Sequence, residues 1–207
     1  MKHVDLLMER YPCLAEARGD IEAAIEAILT MHRGGGKLLL CGNGGSAADS
    51  SHISGELLKG FLLKREPEGE ELARLQSNPT LAPYATQLQR GICAIALPDQ
   101  SAVLTAFSND VKPEAMYAQL VYAMARRSDV FLGLSTSGNS QNVVLAAACA
   151  KALGIVSIGM TGQGGGQMAA LCDILIRVPE TETYKVQELH LPVYHTICAQ
   201  VEETLFG

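Results

Sequence analysis

The sequence predicts an α/β domain in which a doubly wound, five-stranded parallel sheet is flanked by helices. Two observations support this class. Five short, almost continuously apolar runs have the composition of parallel strands that are covered on both faces. These runs lie at 37–41, 93–97, 130–134, 155–160 and 173–178. Segments with helical periodicity alternate with them, at 46–64, 114–127, 139–153 and 166–171, after a first helix at 15–32 and before a last helix at 184–205.

The 207 residues make one domain of ordinary size, without an internal repeat or linker. We therefore expect a single domain over residues 1–207, which begins with a helical segment at 1–33. Residues 62–91 are charged and rich in turn-forming residues, so we expect a surface excursion there with one short helix at 84–90.

Apolar residues recur on one face of each terminal helix. In the last helix they form a stripe of Leu189, Val193, Ile197, Val201 and Leu205. We expect this stripe to pack on the sheet. The first helix carries the second set, Ile21, Ala24, Ile25, Ile28 and Leu29. We predict that this second face makes the subunit contact.

Composition limits the partners. The net charge is −6, and a nucleic-acid or anionic-membrane binder usually carries a basic surface instead. No apolar run approaches the roughly 20 residues of a membrane span. The N-terminus lacks the apolar core of a signal peptide. Six scattered cysteines, at 13, 41, 93, 149, 172 and 198, indicate reduced thiols. We expect a cytoplasmic protein that binds neither nucleic acid nor membranes.

Two loops follow predicted strands, where open α/β sheets bind their ligands. The first is 41–46, in which Asn43, Gly44 and Gly45 allow a tight turn and a close approach of backbone to a ligand. It is not a dinucleotide fingerprint, because the third glycine of that motif is replaced by Ala47. A simple strand-to-helix turn is the alternative.

The second loop, 135–140, places four hydroxyl groups where a helix begins. Hydroxyl and free backbone N–H groups at a helix N-terminus bind phosphate without any Lys or Arg. The hydroxyl groups belong to Ser135, Thr136, Ser137 and Ser140. The alternative is a Ser/Thr-rich turn with a helix cap. A glycine-rich turn at 161–166 is more typical of a structural role.

Four further side chains have the spacing of a metal or acid–base site. His52 and Glu56 are four residues apart, and Gln187 and His195 are eight apart, so each pair shares one helix face. Two imidazoles, a carboxylate and an amide suit a divalent cation, above all Zn²⁺. A surface ion pair is the simpler explanation of His52 and Glu56.

Taken together, these residues resemble the phosphoheptose isomerases of the sugar isomerase (SIS) superfamily. The resemblance runs from about residue 15 to the C-terminus. It is carried by 42–49, His52, Glu56, Asn109-Asp110, 135–140 and 186–195. It implies the SIS fold and a homotetramer with active sites between subunits. It also implies isomerisation of sedoheptulose 7-phosphate to D-glycero-D-manno-heptose 7-phosphate.

The resemblance also assigns roles. His52, Glu56, Gln187 and His195 would bind Zn²⁺, and Ser135, Thr136, Ser137 and Ser140 would hold the phosphate. The remaining sugar contacts would come from Asn43, Gly44, Gly45, Glu56, Asn109, Asp110 and Gln187. An enediol reaction needs a base and an acid near neutral pH, for which we expect Glu56 and His195, respectively. The alternatives are a phosphosugar-binding regulator, a protein of the DnaA-associating type, and an isomerase of another phosphosugar.

Two positions depart from the family pattern. Many members have an Arg where this chain has Gly60, and an Asp where it has Tyr184. Lys59, Lys64 or Arg65 is the candidate substitute for the missing Arg, and hydroxyl groups alone are the other option.

Overall fold

The computed structural model describes all residues, 1–207, and contains one sheet whose five strands are all parallel. Their order is β2-β1-β3-β4-β5, with Leu38 of β1 opposite Ala94 of β2 and Val130 of β3. The strands are β1 (Leu38–Cys41), β2 (Ala94–Ala96), β3 (Val130–Leu134), β4 (Val156–Thr161) and β5 (Ile174–Arg177). The predicted fold class is therefore confirmed.

Eight α-helices surround the sheet. They are α1 (Lys2–Arg10), α2 (Arg18–Arg33), α3 (Gly45–Leu58), α4 (Gly69–Ser77), α5 (Ser101–Asp110), α6 (Met116–Met124), α7 (Gln141–Ala152) and α8 (Thr183–Phe206). Short 3-10 helices lie at Pro12–Ala17, Ala82–Tyr84, Leu97–Asp99, Pro113–Ala115 and Gly166–Ala170. No helix is both long enough and apolar enough to cross a bilayer.

The sheet separates two apolar cores, because successive strand side chains point to opposite faces. On one face Leu38 and Leu40 join a cluster of 29 buried residues that α1, α2, α3 and α8 cover. On the other face Leu39 and Cys41 join 14 buried residues under α6 and α7. Burial on both faces explains why the strands are almost continuously apolar.

The strand order reverses between β1 and β3, which are neighbours in the sheet. Their carboxyl ends therefore meet at the topological switch point of the fold, the usual ligand position in this architecture. The residues that follow these two strands, 42–45 and 135–140, are called the strand-tip loops below.

Several helix predictions needed correction. α1 lies within the helical segment predicted at 1–33, whereas α4 and α5 were not predicted; α5 has no buried residue. The helix predicted at 46–64 ends at Leu58, and the one predicted at 166–171 is a 3-10 helix. The helix predicted at 84–90 is wrong: only a 3-10 turn, Ala82–Tyr84, lies there, after Asn78-Pro79 and around Pro83.

The prediction that the apolar face of the first long helix makes a subunit contact is also wrong. Ile21, Ala24, Ile25, Ile28 and Leu29 of α2 are at most 1% exposed within the single chain. The face is fully used in the core. The stripe on α8 packs in the same core cluster, with Val193, Ile197 and Val201 buried and Leu189 and Leu205 at its edge, but the main contacts of α8 are with α1, α2 and α3 and not with the sheet.

Candidate active site

The first strand-tip loop is held open by its neighbours. Gly44 has φ +54°, a backbone conformation that favours glycine. Asn43 exchanges two side-chain hydrogen bonds of 2.8 Å with Asn142, the second residue of α7. The Tyr117 hydroxyl donates to the carbonyl of Gly42. Asn43 therefore connects the first loop to the start of α7, which directly follows the second loop.

The second strand-tip loop brings two of its hydroxyl groups together at the start of α7. The Ser135 hydroxyl donates to the Ser140 hydroxyl at 3.0 Å, and the Ser140 N–H donates back to Ser135 Oγ. Gly138 has φ +67°, and a Cβ there would lie 2.0 Å from the Gly165 carbonyl oxygen. The glycine-rich turn at 161–166 thus supports the hydroxyl loop. The Val143 N–H at the start of α7 donates to Asn142 Oδ1 at 3.0 Å, whereas the N–H groups of Gln141 and Asn142 have no intrahelical acceptor and are available to an anion.

Gln187 belongs with the strand-tip loops. A Cβ on Gly45 would lie 2.6 Å from Gln187 Nε2, so the amide lies directly against this glycine. Any larger residue at position 45 would displace it. Gln187 makes no hydrogen bond to His52, Glu56 or His195.

Those three side chains meet further along the contact between α3 and α8, and we call them the helix cluster. His52 Nε2 lies 3.2 Å from Glu56 Oε1 and 3.5 Å from His195 Nε2. Glu56 Oε2 is buried without a hydrogen-bond partner, and the nearest cation is Lys59 Nζ at 3.6 Å. Burial lowers the pKa of His195, His52 lowers it further, and Glu56 opposes the shift. A carboxylate and two imidazoles in this arrangement are able to move protons.

A buried tyrosine lies behind the helix cluster. The Tyr194 hydroxyl is 3.1 Å from His52 Nδ1 and donates to Asp49 Oδ1, also at 3.1 Å. Burial raises the pKa of Asp49, although its hydrogen bond to Tyr194 lowers it. Burial also raises the pKa of Tyr194, and the negative charge of Asp49 raises it further. Neither residue was a sequence candidate.

Within one chain, the helix cluster and the strand-tip loops are separate. His52 is seven and Glu56 eleven residues beyond Gly45 on α3, which is about 10 and 16 Å along the helix axis. Asn109 and Asp110, at the end of α5, are exposed and bond to each other rather than to either group. The structure therefore brings three of the predicted metal ligands together and places Gln187, Asn109 and Asp110 elsewhere.

Metal binding by the helix cluster has both supporting and opposing observations. A tetrahedral ion with bonds of about 2.0 Å has ligand atoms about 3.3 Å apart, close to the 3.2 and 3.5 Å found here. The unpartnered Glu56 Oε2 supplies a further free donor. However, no three or more His, Cys, Asp or Glu side chains of the chain already surround one point as metal ligands. The donor atoms and the distances between them therefore fit Zn²⁺, but one chain does not provide a complete set of ligands around one point.

The lower end of the helix cluster is fixed by a buried ion pair. Arg65 Nε donates to Glu202 Oε1 at 2.6 Å, and both side chains are 0% exposed. Arg65 also donates to the backbone carbonyls of Glu56 and Leu57. Burial alone would raise the pKa of Glu202, but the N–H groups of Phe61 and Leu62 and the Arg65 guanidinium hold it below its ordinary value.

None of the three candidate substitutes for the arginine that many family members have at position 60 is free to bind a phosphate at the hydroxyl loop. Arg65 is occupied by Glu202, Lys64 pairs with Glu66, and Lys59 lies beside Glu56. None of the three reaches Ser135–Ser140. In a single chain the phosphate-type loop therefore relies on hydroxyl and backbone N–H groups.

Sequence reasoning missed Asp49, Tyr194, Asn142, Arg65 and Glu202 in their structural roles. Asp49 and Asn142 lie next to motifs that were found, and their position near strand tips was the available signal. Arg65 and Glu202 are 137 residues apart and have no local signature.

The parallel sheet, its switch point and the hydroxyl loop define an SIS-domain protein. SIS domain models match residues 80–202 and, through a second model, residues 4–90. Phosphoheptose isomerase of Nitratidesulfovibrio vulgaris is 39% identical over 90% of this chain and 77% of its own length. Phosphoheptose isomerase 2 of Campylobacter jejuni is 41% identical over 90% and 81%. The chain therefore belongs to the phosphoheptose isomerase family of SIS-domain proteins.

Solved structures agree. Phosphoheptose isomerase from Neisseria gonorrhoeae superposes with a TM-score of 0.72 at 30% identity, covering 93% of each chain. The enzyme from Francisella tularensis gives 0.73 at 26% identity, covering 98% of this chain and all of its own.

Proposed function

We propose that this protein is an aldose–ketose isomerase that converts sedoheptulose 7-phosphate to D-glycero-D-manno-heptose 7-phosphate. The observation that carries the proposal is the helix cluster, in which a buried carboxylate oxygen of Glu56 has no hydrogen-bond partner and lies 3.6 Å from Lys59 Nζ, beside two imidazoles. A receptor that only bound the sugar phosphate would have no use for such a group.

Glu56 is the base. It removes the proton from the carbon next to the carbonyl, which leaves an enediol, and returns that proton to the neighbouring carbon. His195 gives a proton to the carbonyl oxygen and takes one from the neighbouring hydroxyl oxygen. The reaction then moves hydrogen within one molecule and consumes no other reactant.

The strand-tip loops hold the substrate. Ser135, Thr136, Ser137 and Ser140, with the N-terminus of α7, bind the phosphate, and Asn43, Gly44, Gly45 and Gln187 contact the sugar. This division suits an anion in a protein of net charge −6, because hydroxyl and N–H groups bind phosphate without a cation.

A Zn²⁺ ion is part of the proposal. His52, Glu56 and His195 would hold it, and it would polarise the oxygens of the substrate. Gln187, the fourth ligand that the family resemblance implies, lies beside Gly45 in the same chain, so this ligand would have to come from another subunit. Because the three side chains of one chain do not already enclose a point, binding requires small movements of these side chains or a ligand from another subunit.

The active site is completed by a second copy of the chain within a homotetramer. Two observations support this. The helix cluster lies about 10–16 Å along α3 from Gly45 in the first strand-tip loop of its own chain. The apolar helix α5, which carries Asn109 and Asp110, has no buried residue, and Val103 is 41% exposed. The N-terminal segment 1–33 contributes to assembly through α1, where Leu6 is 48% exposed.

The protein is proposed to work in the cytoplasm. All six cysteines are unpaired, as a reducing compartment requires.

The direct test is to incubate the purified protein with sedoheptulose 7-phosphate and follow aldose formation. We expect turnover, its loss after treatment with a chelator, and its return when Zn²⁺ is added. No turnover in the presence of Zn²⁺ would refute the activity. Unchanged turnover in the presence of chelator would refute the requirement for Zn²⁺ but not the isomerase activity.

Subunit sharing has its own test. Chains with Glu56→Gln and chains with Ser140→Ala are mixed after gentle dissociation and reassembled. Activity is measured at a substrate concentration well below the KM of Ser140→Ala, where both variants are slow. If each site takes its phosphate loop and its helix cluster from different chains, part of the sites regain both wild-type groups and activity exceeds that of either variant alone. Activity that never exceeds the two separate variants would show that each chain works alone.

A further inference from the structure

Asp49, Tyr194 and His52 form a hydrogen-bonded network on the protected side of the helix cluster. Both bonds of the network are 3.1 Å long: Tyr194 hydroxyl to Asp49 Oδ1, and His52 Nδ1 to the same hydroxyl. Tyr194 is 1% exposed, and its ring meets the His52 ring edge-on at 5.6 Å. The network therefore holds one nitrogen of His52, while the other nitrogen faces Glu56 and His195.

The direction of these bonds follows from the chemistry of the three groups. A carboxylate only accepts hydrogen bonds, and a tyrosine hydroxyl has a single proton to donate. Tyr194 gives that proton to Asp49, so its oxygen is left to accept. The only donor facing it is His52, which must carry a proton on Nδ1.

We infer that Asp49 and Tyr194 are positioning residues that fix the Nδ1–H form of His52 and so present Nε2 to Glu56 and His195. Without the network, the Glu56 carboxylate 3.2 Å away would favour a proton on Nε2 instead. In that form Nε2 would donate a hydrogen bond to Glu56 and would have no lone pair for a substrate proton or a cation.

The inference rests on the proposed function in one respect: it assumes that the helix cluster is the reacting site. The state of the ring is itself a structural property. A hydrogen bond to the ring nitrogen that does not face the metal orients a histidine, and its loss typically changes metal affinity by about 10–100-fold.

The test uses the full-length protein, treated with chelator and labelled with ¹⁵N at histidine, at a pH of about 8, where an ordinary imidazole is neutral. In the wild type, NMR should find His52 protonated on Nδ1. Tyr194→Phe keeps the buried ring but removes the acceptor, and we expect the proton to move to Nε2.

Asp49→Asn gives a second, sharper variant. Its amide is able to donate to the Tyr194 hydroxyl, which then donates to Nδ1 and reverses the whole network. The same shift to Nε2 is expected, with Tyr194 still in place. Wild-type His52 with an unprotonated Nδ1, or two variants with an unchanged ring, would overturn the inference.

Zn²⁺ affinity, measured by competition with a chromophoric chelator, is the second readout. Both variants should bind Zn²⁺ about 10–100-fold more weakly than the wild type. Tyr122→Phe, which removes an exposed hydroxyl on α6 without a hydrogen bond, is the control and should change neither readout. If the wild type is inactive on sedoheptulose 7-phosphate but His52 is protonated on Nδ1, the proposed activity is refuted and the inference about the network is not.

Discussion

The strand-tip loops and the helix cluster are built from different kinds of groups. The strand-tip loops, 42–45 and 135–140, contain glycine, hydroxyl and amide side chains and not one charged residue or histidine. The helix cluster has three titratable side chains and a buried ion pair at its lower end. Groups of fixed polarity bind an anion at any ordinary pH, whereas proton transfer needs groups that change charge. Binding and chemistry should therefore be separable by mutation.

The largest effect should come from the ion pair below the helix cluster. Glu202→Gln leaves the Arg65 guanidinium buried without its counter-charge. Breaking a buried pair in this way typically costs about 3–5 kcal/mol. Urea unfolding should show a loss of this size.

Glu70→Gln is the matched control, because Glu70 and Arg74 form an exposed pair on α4 with side chains 90% and 79% exposed. We expect no measurable change in its unfolding midpoint. If the two variants were equally stable, the buried pair would not be what holds this end of α3.

Glu56→Gln should separate chemistry from binding. The amide keeps the shape of the side chain but cannot accept the substrate proton, so kcat should fall about 10²-fold or more. KM should change little, since the phosphate contacts lie in the other region. Steady-state kinetics checks both parameters. An unchanged kcat would show that Glu56 is not the base.

Ser140→Ala should have the opposite signature. A hydrogen bond to a charged group contributes about 1.5–3 kcal/mol, so KM should rise about tenfold or more while kcat stays near the wild-type value. Ser77→Ala, at an exposed serine at the end of α4, is the control. A fall in kcat at constant KM would place Ser140 in the chemistry instead of in phosphate binding.

The strand-tip loops were predictable from sequence because each is local. An apolar strand, a glycine or hydroxyl run and a helix start follow one another within about ten residues, so the pattern contains both the fold and the position of the ligand. α5 was not predicted, and it buries no residue in its own chain.

The helix cluster was only partly predictable. Helical periodicity predicted the face of α8 on which each side chain lies, and on that basis Gln187 and His195 were grouped. Sharing a face does not bring the two side chains together, because eight residues span about 12 Å along the helix axis. Gln187 therefore lies beside Gly45, and His195 lies beside His52. Tyr194 and Glu202 depend on which part of α3 each turn of α8 meets, and that follows from tertiary packing alone.

The smallest effect is expected between the two regions, at His190 on α8. The ring is 0% exposed and neither nitrogen has a hydrogen-bond partner. Burial lowers its pKa from 6.5 to about 4, with the Thr161 backbone opposing the shift slightly. Between these values the unfolded chain binds more protons than the folded one, so the stability from a neutral His190 is complete above pH 6.5 and lost as the pH falls toward 4. The contribution amounts to about 1 kcal/mol between pH 7 and pH 5.5.

His190→Leu removes the imidazole that takes up this proton, and the unfolding free energy of the variant should therefore fall less steeply than that of the wild type over this interval. Parallel pH profiles of the two proteins would mean that His190 is protonated as easily in the folded protein as in the unfolded chain.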